Sequence, residues 1–376
     1  MTERIKSSRI VLADGLLDGY VYMRDGKIAA VTAEDLPCDR TVDWGDCYVS
    51  PGFVDLHVHG GAGYDFGSCT AKEADRIAAH HLAHGTTTML ATLAAAPLAE
   101  MAAAVERLRN CTAPNIVGVH MEGPYFSPAQ CGAQNTAFIT APQSADYQPF
   151  LAANADVVKR WSYAPERDEN GAFCKALCRY GVIPSAGHTD AVGADMQAAF
   201  ANGCRLVTHL YSCTSTVTRQ NGYRQLGVIE YAYLTDDITA EIIADGAHLP
   251  PDLIRLVVKI KGRERVMLTT DALAVSGSDE MAGEMNGVAY IVEDGVCKLP
   301  DRSAFAGSIA TADRLVRTCV QDAALPLVDS VYMAATVPAA VLGLKKGLLA
   351  VGYDADLVVF DENIVVNAVY IKGKQI

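Results

Sequence analysis

Positive charge is in short supply in this chain of 376 residues: 31 Lys and Arg stand against 44 Asp and Glu, a formal net charge of −13. Nucleic acid and anionic membrane both attract proteins through a positive field, so this balance argues against either as a partner. It leaves room for a small anionic substrate, which a few local Arg or His residues can hold. Long apolar runs are missing too. The longest, from Met89 to Ala99, contains Pro97 and ends at Glu100, too short to span a membrane. The N-terminal MTERIKSSRIVLADG lacks the apolar centre of a secretory signal. The eleven cysteines include no CxxC and only one close pair, Cys174 and Cys178. An odd count without a framework reads as free thiols in a reducing compartment, so a cytoplasmic protein is expected. Low-complexity tracts and fixed-period repeats are absent as well.

What is present is apolar and periodic. Half of the residues are hydrophobic, enough to bury a large core. The first fifty residues alternate apolar runs with Asp-Gly and Pro-Gly punctuation, as in RIVLADG, YVYMRDGKIAAV and DCYVSPG. The final stretch, GYDADLVVFDENIVVNAVYIKGKQI, has the same character. Between them, short apolar strands alternate with Ala-rich helices. GFVDLHVH, TTTMLAT, NIVGVHMEG, VVKRWSYAPE, VIPSAGHT, RLVTHL, TAEIIADG and RVMLTTDA are eight strand candidates. The pattern predicts an α/β fold: a (β/α)₈ TIM-like barrel over residues 51–344, with a small β-sandwich formed from both termini, 1–50 and 345–376. After the eighth strand, GVAYIVEDGVCKL reads as an inserted hairpin, followed by helices over 311–322 and 329–342.

Nearly every strand candidate ends in a side chain able to bind metal or move a proton. The first carries His57 and His59, the third Glu122, the fifth His188, the sixth His209. The seventh leads into Asp245 and His248, and the eighth ends at Asp271. In such a barrel the C-terminal strand ends form the active-site face. His57 and His59, two apart on a strand, point to one side and can chelate one cation together. Imidazole nitrogen with carboxylate oxygen suits zinc and similar divalent metals. Singly, each residue has a bland explanation: a chance HxH, a surface carboxylate, a satisfied core histidine. Their joint position at strand ends is what points to a metal site. Asp271, beside a cation, can take a proton from water and pass it to a leaving nitrogen. His80, His81 and His84 lie on a predicted helix and its end, and they read as structural, as does His120.

The motifs PGFVDLHVHGGAGYDF, HGTTT, GVHMEGPYFSP, AGHTDA, THLYS, IADGAH, TTDALAVSG and FAGSIATAD occur in the order seen in N-acetylglucosamine-6-phosphate deacetylases, and the chain resembles that branch of the amidohydrolase superfamily over nearly its whole length. The resemblance implies deacetylation of an amino-sugar phosphate with one or two divalent ions, zinc being the one expected. Glu122, His188 and His209 would hold the main metal, and His57 and His59 a second, with Glu122 able to bridge. Asp271 would be the general acid-base. His248 and Gln134 would contact the sugar or its acetamide, and the backbone near Gly61 would line the pocket. A catalytically dead scaffold would lack a ligand, and none is missing. Cyclic-amide hydrolases of the superfamily use a carboxylated lysine on strand four; here Lys159 lies at the start of that strand and Glu122 fills the bridging place.

Two departures bear on the substrate. Relatives read HLYNAM or HLFNAM where this chain reads HLYSCT, so Ser212 and Cys213 replace the Asn-Ala that helps to hold the 6-phosphate. The phosphate-binding Arg of relatives, which often reaches across a dimer interface, is matched best by Arg224 in YRQLGVIE, about four residues late, with Arg219 as a second candidate. A homodimer is expected on that resemblance. The galacto epimer, N-acetylgalactosamine 6-phosphate, or another N-acyl sugar is the alternative substrate.

Overall fold

The computed structural model describes residues 2–376. Eight parallel strands form the central sheet: Phe53–Val58, Thr86–Leu93, Ile116–Glu122, Val158–Tyr163, Ile183–Ala186, Leu206–Val207, Thr239–Ile242 and Val266–Leu268, neighbours in sequence being neighbours in the sheet. The first and last meet through a parallel bridge between Val58 and Ala272, which closes the ring. Helices cover the outside, so both faces of the strands are largely buried and the strands lack a regular polar–apolar alternation. All eight residues of Thr86–Leu93 are buried, as are all six of Phe53–Val58.

The connecting helices are set by local chemistry. The helix Ala71–Ala83 starts in a reciprocal cap: Thr70 accepts from the Glu73 backbone N–H, and the Glu73 carboxylate accepts from the Thr70 N–H. It turns Ala74, Ile77, Ala78, His81 and Leu82 inward. The helix Pro251–Lys261 begins at a proline, whose missing N–H costs nothing in a first turn, and stops at Gly262 with φ +73°.

The termini share one sheet. Thr2–Val11, Leu16–Arg24, Lys27–Thr32 and Tyr48–Pro51 join Leu357–Phe360, Val366–Ile371 and Lys374–Gln375, while Arg40–Asp43 branches off the first strand. Ile5, Val21 and Ile28 from the N-terminal part cluster with Leu357, Val359 and Tyr370 from the C-terminal part, so both ends supply a single core.

The insertion after the eighth strand is larger than the expected hairpin. It is a four-stranded antiparallel sheet, Ala282–Met285, Val288–Glu293, Val296–Lys298 and Phe305–Ser308. The two helices that follow are found where expected, but each contains a π turn, Thr318–Asp322 in one and Tyr332–Thr336 in the other. Among the described residues no helix is long and apolar enough to cross a membrane.

Candidate active site

Six side chains converge where the strands end. His57 is the penultimate residue of the first strand and Glu122 the last of the third. His59, His188, His209 and Asp271 sit just beyond their strands, and all six are buried. His188, His209 and Asp271 have φ of +47°, +28° and +50°. A left-handed residue at this point breaks the strand.

Glu122 is the hub. Its Oε1 lies 3.2 Å from His57 Nε2, 3.2 Å from His188 Nε2 and 3.1 Å from His209 Nε2. Its Oε2 lies 3.2 Å from His59 Nε2. Asp271 Oδ1 is 3.4 Å from His57 Nε2 and 3.3 Å from His59 Nε2. The imidazoles also face one another, His57 and His59 at 3.3 Å and His188 and His209 at 3.2 Å between Nε2 atoms.

These residues fit a divalent metal. Two imidazole lone pairs pointing at each other repel unless a proton or cation sits between them. A tetrahedral zinc with nitrogen ligands at about 2.0–2.1 Å places its donors roughly 3.3 Å apart, which is the spacing found here. Two overlapping sets have their donor atoms within 4.8 Å of one another: His57, Glu122 and His209, and His57, His59 and Asp271. Nitrogen and carboxylate oxygen are the donors such a metal prefers.

The electrostatics agree. Burial opposes charge on His57 and His59, yet the carboxylates of Asp271 and Glu122 outweigh it and raise the two rings to about 10 and about 9. Burial opposes charge on His188 as well, and Cys213 and Glu122 override it. His209 goes the other way, its burial prevailing and holding it below the usual range. Burial would raise Glu122 and Asp271, but His57 leads the neighbours that hold both below the ordinary carboxylate range. The pocket therefore demands positive charge among its donors, which protons or a metal cation can supply.

Above the cluster opens a cavity of about 300 Å³. Gln134, Ser212, Cys213 and His248 line it, together with Met285 and Phe305 from the inserted sheet. Gln134 is doubly anchored: Oε1 accepts from the Ala95 N–H at 2.9 Å and Nε2 donates to Glu122 Oε2 at 2.6 Å. It reaches there through Gly132, at φ +55°, where a Cβ would lie 2.4 Å from Cys213 Sγ. This gives a physical reason for the glycine in GAQ. His248 Nδ1 is 2.8 Å from Asp245 Oδ2, and its ring packs 4.8 Å from that of Phe305.

Three residues expected at or near the site lie elsewhere in this chain. Gly61 is outside the cavity lining, buried against the helix that follows the first strand, where a Cβ would meet His80 and His81 at 2.9 and 3.1 Å. Arg224 and Arg219 are exposed and face each other on a small hairpin, Thr218–Gln220 with Tyr223–Gln225, and neither lines the cavity. His81 Nε2 lies 2.9 Å from the Gly60 carbonyl and His120 Nε2 2.7 Å from Ser162 Oγ, which matches the structural reading of both.

Three charged residues buried within the barrel strands escaped the sequence reading. Asp55 accepts from the hydroxyls of Thr269 and Thr270, both at 2.6 Å, across the seam of the barrel, and burial raises it to about 6. Arg160 and Glu241 form a fully buried ion pair beneath the cluster. Their only signal was a charged residue inside an apolar strand candidate.

A family model described as the amidohydrolase family matches residues 48–376. The chain belongs to the amidohydrolase family. Among curated amidohydrolase relatives, the N-acetylglucosamine-6-phosphate deacetylase of Lysinibacillus sphaericus is 30% identical over 362 residues, covering 94% of this chain and 92% of that protein. The N-acetylgalactosamine-6-phosphate deacetylase of Escherichia coli O157:H7 is 27% identical, covering 100% of this chain and 99% of that one. A solved structure from Mycobacterium smegmatis has a TM-score of 0.93 at 32% identity, covering 100% of this chain and 99% of its own. It is an N-acetyl-D-glucosamine-6-phosphate deacetylase with an aspartate replaced by alanine, in complex with N-acetyl-D-glucosamine-6-phosphate.

Proposed function

We propose that this amidohydrolase removes the N-acetyl group of an amino-sugar 6-phosphate, converting N-acetylglucosamine 6-phosphate and water to glucosamine 6-phosphate and acetate. The observation that carries this reading is the six-ligand cluster at the floor of a cavity of about 300 Å³, in a chain alike over its full length to solved deacetylases. Glu122, His188 and His209 hold the main divalent cation, zinc, and His57 and His59 hold a second when one is present. The cation supplies Lewis acidity and water activation when bound. Asp271 accepts the proton of the attacking water and delivers it to the amine nitrogen as the C–N bond breaks, so the proton budget closes without an outside acid. His248, its Nδ1 fixed by Asp245, leaves Nε2 for the acetamide or a sugar hydroxyl. Gln134 holds Glu122 in place and borders the sugar. Ser212 and the backbone at Cys213 approach the phosphate side, and Arg224 reaches a phosphate in the cavity of a second copy in a homodimer. The acidic surface and free thiols favour the cytoplasm as its location.

N-acetylgalactosamine 6-phosphate is the second reading. It is favoured by full-length likeness to an enzyme named for that sugar and by the altered Ser212–Cys213 loop. Acetate release from both phosphorylated epimers and both unphosphorylated sugars tests the proposal. One phosphorylated epimer is expected to exceed its unphosphorylated form at least tenfold in kcat/KM. Equal turnover of phosphorylated and plain sugars refutes the phosphate assignment, and release from none refutes the deacetylase reading.

A further inference from the structure

Beneath the ligand cluster the barrel is polar where apolar packing is the rule. Arg160, on the fourth strand, and Glu241, on the seventh, are both fully buried and paired through two guanidinium nitrogens. Truncating one partner of such a pair strands a buried charge, while replacing both with apolar residues of similar size is often neutral. Stability alone therefore does not account for the pair, and its contacts suggest another role.

Glu241 Oε1 has three neighbours. Arg160 Nη2 donates to it at 3.0 Å, the His209 backbone N–H donates at 3.1 Å, and His57 Nδ1 lies 3.1 Å away. A carboxylate only accepts, so His57 must present N–H at Nδ1, which leaves Nε2 as the nitrogen able to bind a metal ion. That Nε2 is the atom facing Glu122, His59 and Asp271. Arg160 is fixed in turn. Nη1 donates to the Leu56 carbonyl at 3.2 Å, one residue before His57, and Nη2 to Thr208 Oγ1 at 2.9 Å, one residue before His209. One ion pair thus grips a ligand from each of the two donor sets, at the side chain of one and the backbone of both.

We infer that the buried Arg160–Glu241 pair is the positioning element of the metal centre: Glu241 sets the tautomer and tilt of His57 and ties it to His209, while Arg160 neutralises Glu241 so that it can serve as an acceptor in a dry interior. The inference rests on the metal-centre reading above. Neither residue touches substrate, and both act through the histidines.

Apo protein titrated with zinc alone provides the test. Glu241→Gln by itself leaves Arg160 unpaired and is prone to misfold, so two double variants are compared. Arg160→Met/Glu241→Gln removes both charges but keeps an acceptor for His57; Arg160→Met/Glu241→Leu removes the acceptor too. Loss of such an outer partner costs about 10–100-fold in metal affinity. The leucine variant is expected to bind zinc at least tenfold more weakly than wild type, and the glutamine variant within about threefold of it. Equal affinity in all three proteins, or an equal loss in both variants, overturns the inference. A wild-type protein that binds no zinc overturns the metal centre itself, so the two failures are distinguishable. Should neither variant fold, ¹⁵N spectra of zinc-loaded wild type decide, with His57 assigned by the signal lost in His57→Gln. An N–H at Nδ1 supports the inference, and a proton at Nε2 refutes it.

Discussion

Asp271 carries two signs of a working residue. Its φ of +50° lies in a region that costs a non-glycine residue about 1–3 kcal/mol, and it lines the cavity with its carboxylate 3.4 Å from His57 and 3.3 Å from His59. A ligand and a proton carrier make different predictions for Asp271→Asn, which keeps the shape and loses the proton. With Asp271 as the carrier, kcat falls by roughly 10²–10⁴ while zinc content stays near wild type. Steady-state kinetics beside metal analysis checks this; turnover within about threefold of wild type would reduce Asp271 to a ligand or a strand cap. Residues of this kind were legible in the sequence because each ends an apolar run. Asp55, Arg160 and Glu241 were not, because they lie within strands. A charge inside a strand faces either the barrel axis or the helices, and only the register of all eight strands decides which. Burial of Asp55 against Thr269 and Thr270 depends on residues 214 and 215 positions apart in sequence, which no local pattern encodes.

At the scale of elements, the eight barrel strands were readable because burial on both faces favours short runs that are mostly apolar. The hairpin Thr218–Gln225 was not, since its six strand residues are polar or exposed and carry no alternation. The π turns escaped as well, because a single extra residue in a helical turn leaves the apolar pattern nearly intact. The hairpin is unusual electrostatically. Arg219 and Arg224 are directly paired across it, like charges so placed repel, and neither forms an ion pair among the described residues. Tyr223 beside them is 79% exposed. Such an element is at its best when an anion or another subunit covers it. With Arg224 binding substrate phosphate from a partner copy, Arg224→Ala raises KM for the phosphorylated sugar at least tenfold, about 1.4 kcal/mol, and leaves kcat and the unphosphorylated sugar unchanged. An unchanged KM would return Arg224 to a solvated loop position.

For the whole molecule, the proposed metal centre would act as a clasp. Its candidate ligands come from the first, third, fifth and sixth strands and from the turn after the eighth, so bound metal would tie the barrel to itself across its diameter. These donors lie together only in the folded chain, which makes metal binding a contribution to folding stability. At a free zinc concentration of 100 times its Kd the gain is about 2.7 kcal/mol. The melting temperature of chelator-treated protein should therefore rise by several degrees on adding zinc and go on rising with concentration past saturation of the site, as mass action requires. The net charge of −13 offers a competing cause, since an acidic surface gathers divalent cations without any built site. The two separate cleanly. Diffuse binding survives His188→Ala/His209→Ala and is reproduced by magnesium, whereas the clasp is lost in that variant and magnesium, which prefers oxygen ligands, does not replace zinc. Melting curves that respond equally to both metals in both proteins would mean that the histidine cluster holds no structural charge and that the barrel closes on its apolar core alone.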